Sequence, residues 1–256
     1  MKRNLFLSLE YDGTRYQGWQ RQPQAPTLQA EVERALGVAA GHPVRLRAAG
    51  RTDAGVHAFG QAADCLVETV LPVRAILHRA NRALPDDIVV RRVEDAPPEF
   101  NARRHAVLRH YRYRLLHRAA PPAVDRHTWS HEPLAFDHAR LEEAVRLFEG
   151  HHEFAAFRSS ACRAKRTSLT MVRSRVTLDG DRLIFDFACR SFLQHMVRVL
   201  VGTAIDAARG RISMAEIEGL LAGKGGRSQA GRTAPPGGLI LVGIEYGEPY
   251  ERFSTL

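Results

Sequence analysis

The chain has 256 residues, of which 45% are hydrophobic and 25% charged, a composition typical of globular proteins rather than disordered ones. Its longest apolar runs, such as Leu239–Ile244, are far shorter than the roughly 20 residues that a membrane-spanning helix needs. Three cysteines without a CxxC pair indicate neither a disulfide framework nor a zinc knuckle. We therefore expect a soluble cytoplasmic protein without a membrane partner.

The formal net charge of +9 favours a polyanionic partner, because arginine and lysine side chains that bind phosphates release condensed counterions. Only Lys2, Lys165 and Lys224 are lysines among the 37 cationic side chains. Genome composition is the alternative explanation for this excess of arginine. Arginine nevertheless suits bidentate contacts to phosphate.

In chain order, alternating apolar positions predict a first strand over Leu5–Tyr11, which Asp12-Gly13 ends. A helix follows, with Thr27 as its predicted N-cap and its end near Gly41. The remaining elements of the first half are predicted as strand, strand, helix and strand, over residues 44–48, 61–69, 73–84 and 88–93.

The second half begins after Pro97-Pro98 and also alternates strands with helices. Its predicted elements are a strand over 108–116, a helix over 137–149, a hairpin of strands over 169–178 and 182–189, a long apolar helix over 192–208 and a last strand over 239–245. Asp137 is a predicted helix cap, and Ser213 and Glu216 have the spacing of a capping box that begins another short helix. The sequence therefore predicts an α+β protein with two subdomains, residues 1–104 and 105–256.

The segment Gly50–His57 has the composition of a site, because small residues surround one carboxylate, Asp53. The nearest acids in sequence are Glu33 and Asp64, so the stretch lacks the paired acids of a glycosidase or an aspartic protease. Two other interpretations remain open for Asp53 and His57: a pair of metal ligands four residues apart, and a turn that Asp53 caps.

Read as a whole, this octapeptide resembles the catalytic loop of TruA-type tRNA pseudouridine synthases. Further segments resemble that family in the same order: Tyr11–Gln22, Asn81–Ile88, Phe100–Arg103 with Tyr111–Tyr113, Gly150–Arg158, and Phe192–Arg198 with Gly202. These segments extend over nearly the whole chain. The Ala48-Ala49 dipeptide and the Pro235–Gly238 approach to the last strand depart from the family pattern.

The resemblance implies roles for six residues and a fold. Asp53 is the catalytic carboxylate, Arg198 the cation that keeps it charged, and Arg51 an RNA contact that helps to extrude the target base. Tyr111 stacks on that base, and Thr52 and His57 contact the substrate. The implied fold has mainly antiparallel sheets joined into a continuous sheet, with helices on one face and a central basic RNA-binding cleft.

Three of these roles have a simpler alternative. Arg198 can be an ordinary surface arginine, Arg51 the partner of a neighbouring carboxylate, and Tyr111 a core residue, as we expect Tyr113 to be. Two further groups can face either RNA or the protein itself: Trp19, Gln20 and Arg21, and the pair His151 and His152. The basic stretches 158–166 and 223–232 are candidate RNA-contacting loops, and solvated surface loops are the alternative.

By the same resemblance, the chain is expected to isomerise uridine to pseudouridine at positions 38 to 40 in the anticodon stem-loop of tRNA, as a homodimer. The reaction changes connectivity without changing formula, so no cofactor and no metal is expected. Two other functions remain as alternatives: a non-catalytic RNA-binding protein, and a metal-dependent phosphoesterase that uses Asp53 and His57.

Overall fold

The computed structural model describes all residues of the chain, 1–256, and contains ten strands and five α-helices. The strands are β1 (Lys2–Tyr11), β2 (Leu46–Ala48), β3 (His57–Glu68), β4 (Ile88–Ala96), β5 (Ala106–His117), β6 (Ser130–Glu132), β7 (Gly150–Glu153), β8 (Ser168–Asp179), β9 (Arg182–Cys189) and β10 (Leu239–Tyr246). The helices are α1 (Leu28–Ala40), α2 (Val73–Ala83), α3 (His138–Leu147), α4 (Met196–Ala208) and α5 (Met214–Leu221). The fold class is α+β, as predicted.

The chain forms two compact units, the first of Met1–Arg109 with Ile240–Leu256 and the second of His110–Leu239. The sequence prediction placed the boundary between residues 104 and 105 and left the last strand in the second half. In the structure, Ile240 and Leu241 of β10 pair in parallel with His57 and Ala58 of β3. This long-range pairing explains why the C-terminal segment joins the first unit.

In the first unit the strands lie in the order β4-β1-β3-β10, with β2 beside β3. The β1–β3, β1–β4 and β2–β3 pairs are antiparallel. Helix α1 buries the apolar positions that the sequence predicted, Leu28, Val32, Ala35, Leu36 and Ala39, which lie at helical spacing. The pairing of β3 with β1 and β2 matters for function, because the Gly50–Val56 loop connects β2 to β3.

In the second unit the order is β5-β9-β8-β7, with β6 parallel to β5. The β7–β8 and β8–β9 pairs are antiparallel. Leu183, Phe185 and Phe187 of β9 are buried on one face, whereas Arg182, Ile184 and Asp186 on the other face are not, the alternation expected of a sheet with one covered face. Helix α4 is the most buried helix of this unit.

Two of the predicted helix caps are confirmed. The Asp137 carboxylate accepts a hydrogen bond from Arg140 N, and Ser213 and Glu216 form the reciprocal capping box. The Thr27 prediction is wrong in one respect, because its side chain is fully buried and makes no cap bond.

Several elements also differ from the sequence prediction, among them α4, β6 and β7. Helix α4 begins at Met196 rather than at Phe192, since His195 has a positive φ of 62° and cannot continue a right-handed helix. Strands β6 and β7 were not predicted, because three or four residues are too short for a periodic signal. No helix is long and apolar enough to cross a membrane.

Candidate active site

The loop between β2 and β3 alternates buried and accessible residues. Arg51 and Ala54 are exposed, Asp53 is half-buried, and Thr52 is only 5% exposed. The loop is closed by a turn in which Val56 N donates to Asp53 O at 3.2 Å, and Gly55 has the positive φ of 74° that this turn needs. Gln61 of β3 donates to Gly50 O at 2.8 Å and so holds the start of the loop.

The Tyr11–Gln22 segment packs directly against this loop. The Tyr11 hydroxyl and Thr52 Oγ1 are 2.9 Å apart, and Trp19 N donates to Thr52 O at 2.9 Å. Trp19 is 2% exposed and its ring lies 5.9 Å from that of Tyr11. Burial raises the pKa of Tyr11, so the phenol stays protonated. The burial of Trp19 and its contact with the Tyr11 ring confirm the packing interpretation of this residue.

Two glycines of this segment allow the close approach of the two backbones. A Cβ atom on Gly13 would lie 2.0 Å from Val56 O, so only glycine fits there. Gly18 has a φ of 85°, and a Cβ atom on it would lie 2.8 Å from Thr52 O. From the sequence, Gly13 was expected only to end the first strand and Gly18 had no predicted role, although both lie in the first segment that resembles the family. Their function is to bring the segment into contact with the loop.

His57, the first residue of β3, points into the protein and is 3% exposed. Its Nδ1 atom accepts a hydrogen bond from Gly13 N at 3.1 Å and lies 3.0 Å from Asp12 Oδ1. No group of three or more His, Cys, Asp or Glu side chains could hold a metal ion. The burial of Thr52 and His57 favours a role in holding the loop, and the prediction that they contact the substrate stays a prediction.

Arg51 differs from its neighbours, because it is exposed and makes no hydrogen bond or ion pair within the chain. The simpler interpretation, in which it pairs with a neighbouring carboxylate, is therefore wrong. Two residues along the same loop, the Asp53 carboxylate is partly accessible. The loop thus presents a guanidinium and a carboxylate on a backbone that the rest of the unit holds in place.

In the second unit, Tyr111 and Tyr113 both lie in β5 and both are buried. Tyr113 is completely buried and donates to Ser130 Oγ at 2.7 Å, and its hydroxyl is 3.0 Å from Pro235 O. It is a core residue, as predicted. Tyr111 retains 8% exposure and packs edge to face on Phe192, with ring centroids 5.0 Å apart. Its stacking on a base stays a prediction.

Arg198 is the one residue of α4 that is not buried. Its Nε atom donates to Ala234 O at 2.7 Å, and Ala234 N donates back to Arg198 O at 3.0 Å. The segment before β10 thus orients the guanidinium. An ordinary surface arginine is not restricted in this way. Its pairing with Asp53 would join residues of different units and stays a prediction.

The Gly223–Arg232 segment was a candidate RNA-contacting loop, but its arginines have structural partners. Arg227 donates to Gly231 O at 2.8 Å and to Thr233 Oγ1 at 2.9 Å, and Arg232 forms an ion pair with Glu132. Gly231 N donates to Thr203 Oγ1 at 2.9 Å. The bond to Thr203 attaches the segment to α4 and so supports Ala234 beside Arg198.

The two histidines His151 and His152 and the basic stretch 158–166 were also candidates for RNA contacts. His151 forms hydrogen bonds with Thr170 and Ser168, and His152 with Glu149 O, which favours a structural role for both histidines. In the 158–166 stretch, Arg163 and Lys165 are exposed and make no hydrogen bond or ion pair. An RNA contact by that stretch therefore stays a prediction.

Comparison with known proteins identifies the class. A family described as tRNA pseudouridine synthase matches residues 8–103 and 144–247, and these ranges include Asp53 and Arg198 but not Tyr111. The chain therefore belongs to the tRNA pseudouridine synthase family, whose members are isomerases that act on tRNA.

Curated relatives named tRNA pseudouridine synthase A extend the similarity. The protein of Geotalea uraniireducens (strain Rf4) is 41% identical over 244 residues, which is 95% of this chain and 100% of that protein. The protein of Geotalea daltonii is 42% identical over 245 residues, again 95% and 100%. The protein of Shewanella loihica is 40% identical over 244 residues, 95% of this chain and 93% of that protein.

Proposed function

We propose that the chain converts uridine to pseudouridine at positions 38 to 40 in the anticodon stem-loop of tRNA, with Asp53 as the catalytic carboxylate. The observation that carries this proposal is the setting of Asp53. It is the one acid of the Gly50–His57 segment, and it is partly accessible. The buried residues Tyr11 and Trp19 hold the loop through hydrogen bonds to Thr52. A rigid support of this kind suits a group that must meet a reacting atom.

The reaction breaks the bond between uracil N1 and ribose C1′ and forms one between C5 and C1′. The C5 proton leaves and N1 gains a proton, so formula and oxidation state are unchanged. Asp53 acts as an ionised carboxylate, either on C1′ or on the base. Since burial disfavours the charged form, an adjacent cation is needed, and Arg198 supplies it.

Arg198 suits that role because its position is restricted. One edge of its guanidinium is bound to Ala234 O, and the remainder of α4 is buried. Arg51, which makes no hydrogen bond or ion pair within the chain, contacts the RNA and assists base extrusion, a step that costs a few kcal/mol. Tyr111 stacks on the extruded base, an interaction that contributes roughly 1–3 kcal/mol.

The decisive experiment is Asp53→Asn, measured as tritium release from bulk tRNA labelled at uridine C5. We expect no detectable release and a tRNA affinity within about threefold of wild type, because shape and phosphate contacts survive. Asp86→Asn is the matched control, since Asp86 is an exposed acid of the same unit without a partner. It should retain full activity.

Normal turnover by Asp53→Asn would eliminate the assignment. A wild-type protein that binds tRNA without releasing tritium would instead support the non-catalytic alternative. The position is tested with tRNA transcripts in which the uridines at 38 to 40 are replaced by cytidine. Release from such transcripts would contradict the proposed site on tRNA.

By family membership alone, we further propose that the chain acts as a homodimer and in the cytoplasm. Sedimentation equilibrium at micromolar concentration tests the first statement, and a mass equal to one chain would refute it. Fractionation of the source cells tests the second, which recovery outside the cytosolic fraction would contradict.

A further inference from the structure

Asp87 lies outside the Asp53 loop, in the turn between α2 and β4, and is bonded to the segment that supports that loop. Its Oδ1 atom accepts a hydrogen bond from the Tyr16 hydroxyl at 2.7 Å, and its Oδ2 atom accepts one from Arg15 Nε at 2.8 Å. Its backbone oxygen accepts one from Asp12 N at 2.9 Å. One residue therefore holds three positions of the Asp12–Tyr16 turn.

Of the two side-chain contacts, the bond from Tyr16 is the more buried. Tyr16 is 6% exposed, whereas the Arg15 side chain is 69% exposed, so the Arg15 ion pair is screened and contributes little. Burial, with the hydrogen bond to Asp87, raises the pKa of Tyr16. The phenol thus remains a donor to the carboxylate over the physiological range.

The Asp12–Tyr16 turn also holds the residues that follow Asp53 in the loop. Tyr16 O accepts a hydrogen bond from Gly55 N at 3.3 Å, and Gly13 N donates to His57 Nδ1 at 3.1 Å. Gly13 also lies against Val56 O without room for a Cβ atom. A displacement of the turn would therefore move Gly55, Val56 and His57, which directly follow Asp53 and Ala54.

The geometry points to Asp87 as a positioning residue for the isomerisation: through Tyr16 it fixes the Asp12–Tyr16 turn, and through that turn the position of the Asp53 carboxylate. This inference rests on the proposed catalytic role of Asp53. Asp87 itself does not touch the reacting atoms in this scheme. Its loss should therefore slow the chemical step and leave tRNA binding in place.

The test compares Asp87→Ala, Asp87→Asn and Tyr16→Phe in single-turnover tritium release, with enzyme and tRNA at saturating concentrations. For Asp87→Ala we expect a rate at least about tenfold lower and a tRNA Kd within about twofold of wild type, because a displacement of ~1 Å can cost about 100-fold. Tyr16→Phe keeps the packed ring, should fold normally, and should also be slow. Asp87→Asn, which keeps an oxygen for the Tyr16 hydroxyl, should recover to within about threefold of wild type.

Asp95→Ala is the control. Asp95 lies on β4 near the end away from Asp87, and pairs with Arg3 through bonds of 2.7 and 2.8 Å. Its loss removes an ion pair of the same unit without touching the turn. The Asp95→Ala rate should stay within about twofold of wild type.

Equal rates for Asp87→Ala, Tyr16→Phe and Asp95→Ala would overturn the inference. A lower tRNA affinity at an unchanged rate would overturn it as well. These results differ from a failure of the proposed function, which shows as turnover by Asp53→Asn. An inactive Asp53→Asn together with a normal Asp87→Ala would remove the positioning role alone.

Discussion

Arg51 and Thr52 are adjacent in the sequence and lie in opposite environments. Thr52 is held by Tyr11 and Trp19 inside the unit, whereas Arg51 extends outward without a hydrogen bond or ion pair. A side chain without internal partners contributes little to folding, so its loss should affect only what the protein binds. The contrast separates two requirements of a site: a fixed backbone and a side chain available to the substrate.

At this scale we predict that Arg51→Ala leaves the thermal unfolding midpoint within about 1 °C of wild type. Turnover on tRNA should fall at least about tenfold, because a contact that assists base extrusion is lost. Arg79→Ala is the matched control, since Arg79 is also exposed and without a partner in the same unit. Equal activity of the two variants would show that Arg51 has no role in the reaction.

Helix α4 shows how one element can position a side chain through a neighbouring segment. A Cβ atom on Gly202 would lie 1.8 Å from Arg232 O, so the helix and the Gly231–Ala234 segment touch backbone to backbone. Thr203 and Asp206 accept hydrogen bonds from Gly231 N and Arg232 N. The position of Ala234, and with it the orientation of Arg198, depends on this contact.

We predict opposite effects of one substitution in two helices. Gly202→Ala should destabilise the protein by about 1–3 kcal/mol, because the added methyl group forces the segment away, and activity should fall with the displacement of Ala234. Gly219→Ala in α5 should stabilise it by about 0.5–1 kcal/mol, since no atom lies within 4 Å of the added group. Denaturant unfolding measures both, and a stabilising Gly202→Ala would contradict the described packing.

For the whole molecule, the excess of positive charge governs association with RNA rather than the fold. The formal net charge of +9 includes arginines with internal partners, such as Arg227 and Arg232, and others without one, such as Arg51 and Arg163. The second group is the more readily available to phosphates, because its guanidinium donors make no bonds within the chain. The net charge therefore does not by itself give the number of phosphates that the chain can contact.

We predict that tRNA affinity falls steeply with salt, by at least about tenfold between 50 and 200 mM, because each phosphate contact releases condensed counterions. The single-turnover rate with saturating enzyme and tRNA should change far less, since the chemical step involves uncharged uracil. Filter binding and tritium release measure the two quantities separately. An affinity that does not depend on salt would refute a phosphate-dominated interface.

Much of the fold could be predicted from the sequence because its signals are local. Most strands and all five helices followed from periodicity, turn residues and caps, and their observed bounds differ from the predicted ones mainly by a few residues at the ends. The Gly50–His57 segment could also be predicted as a candidate site, because small residues around a lone carboxylate form a short, contiguous pattern. The chemistry assigned to that loop came from its resemblance to the family.

Local sequence signals did not determine which of the candidate residues face inward. Trp19, His57 and Arg227 looked like possible RNA or substrate contacts, and each is occupied by packing or hydrogen bonds with residues distant in the sequence. Two other features also join residues that are distant in the sequence: the parallel pairing of β10 with β3, and the bonds of Asp87 to the Asp12–Tyr16 turn. Local periodicity reports which face of an element is apolar, whereas tertiary packing alone decides which distant residue meets it.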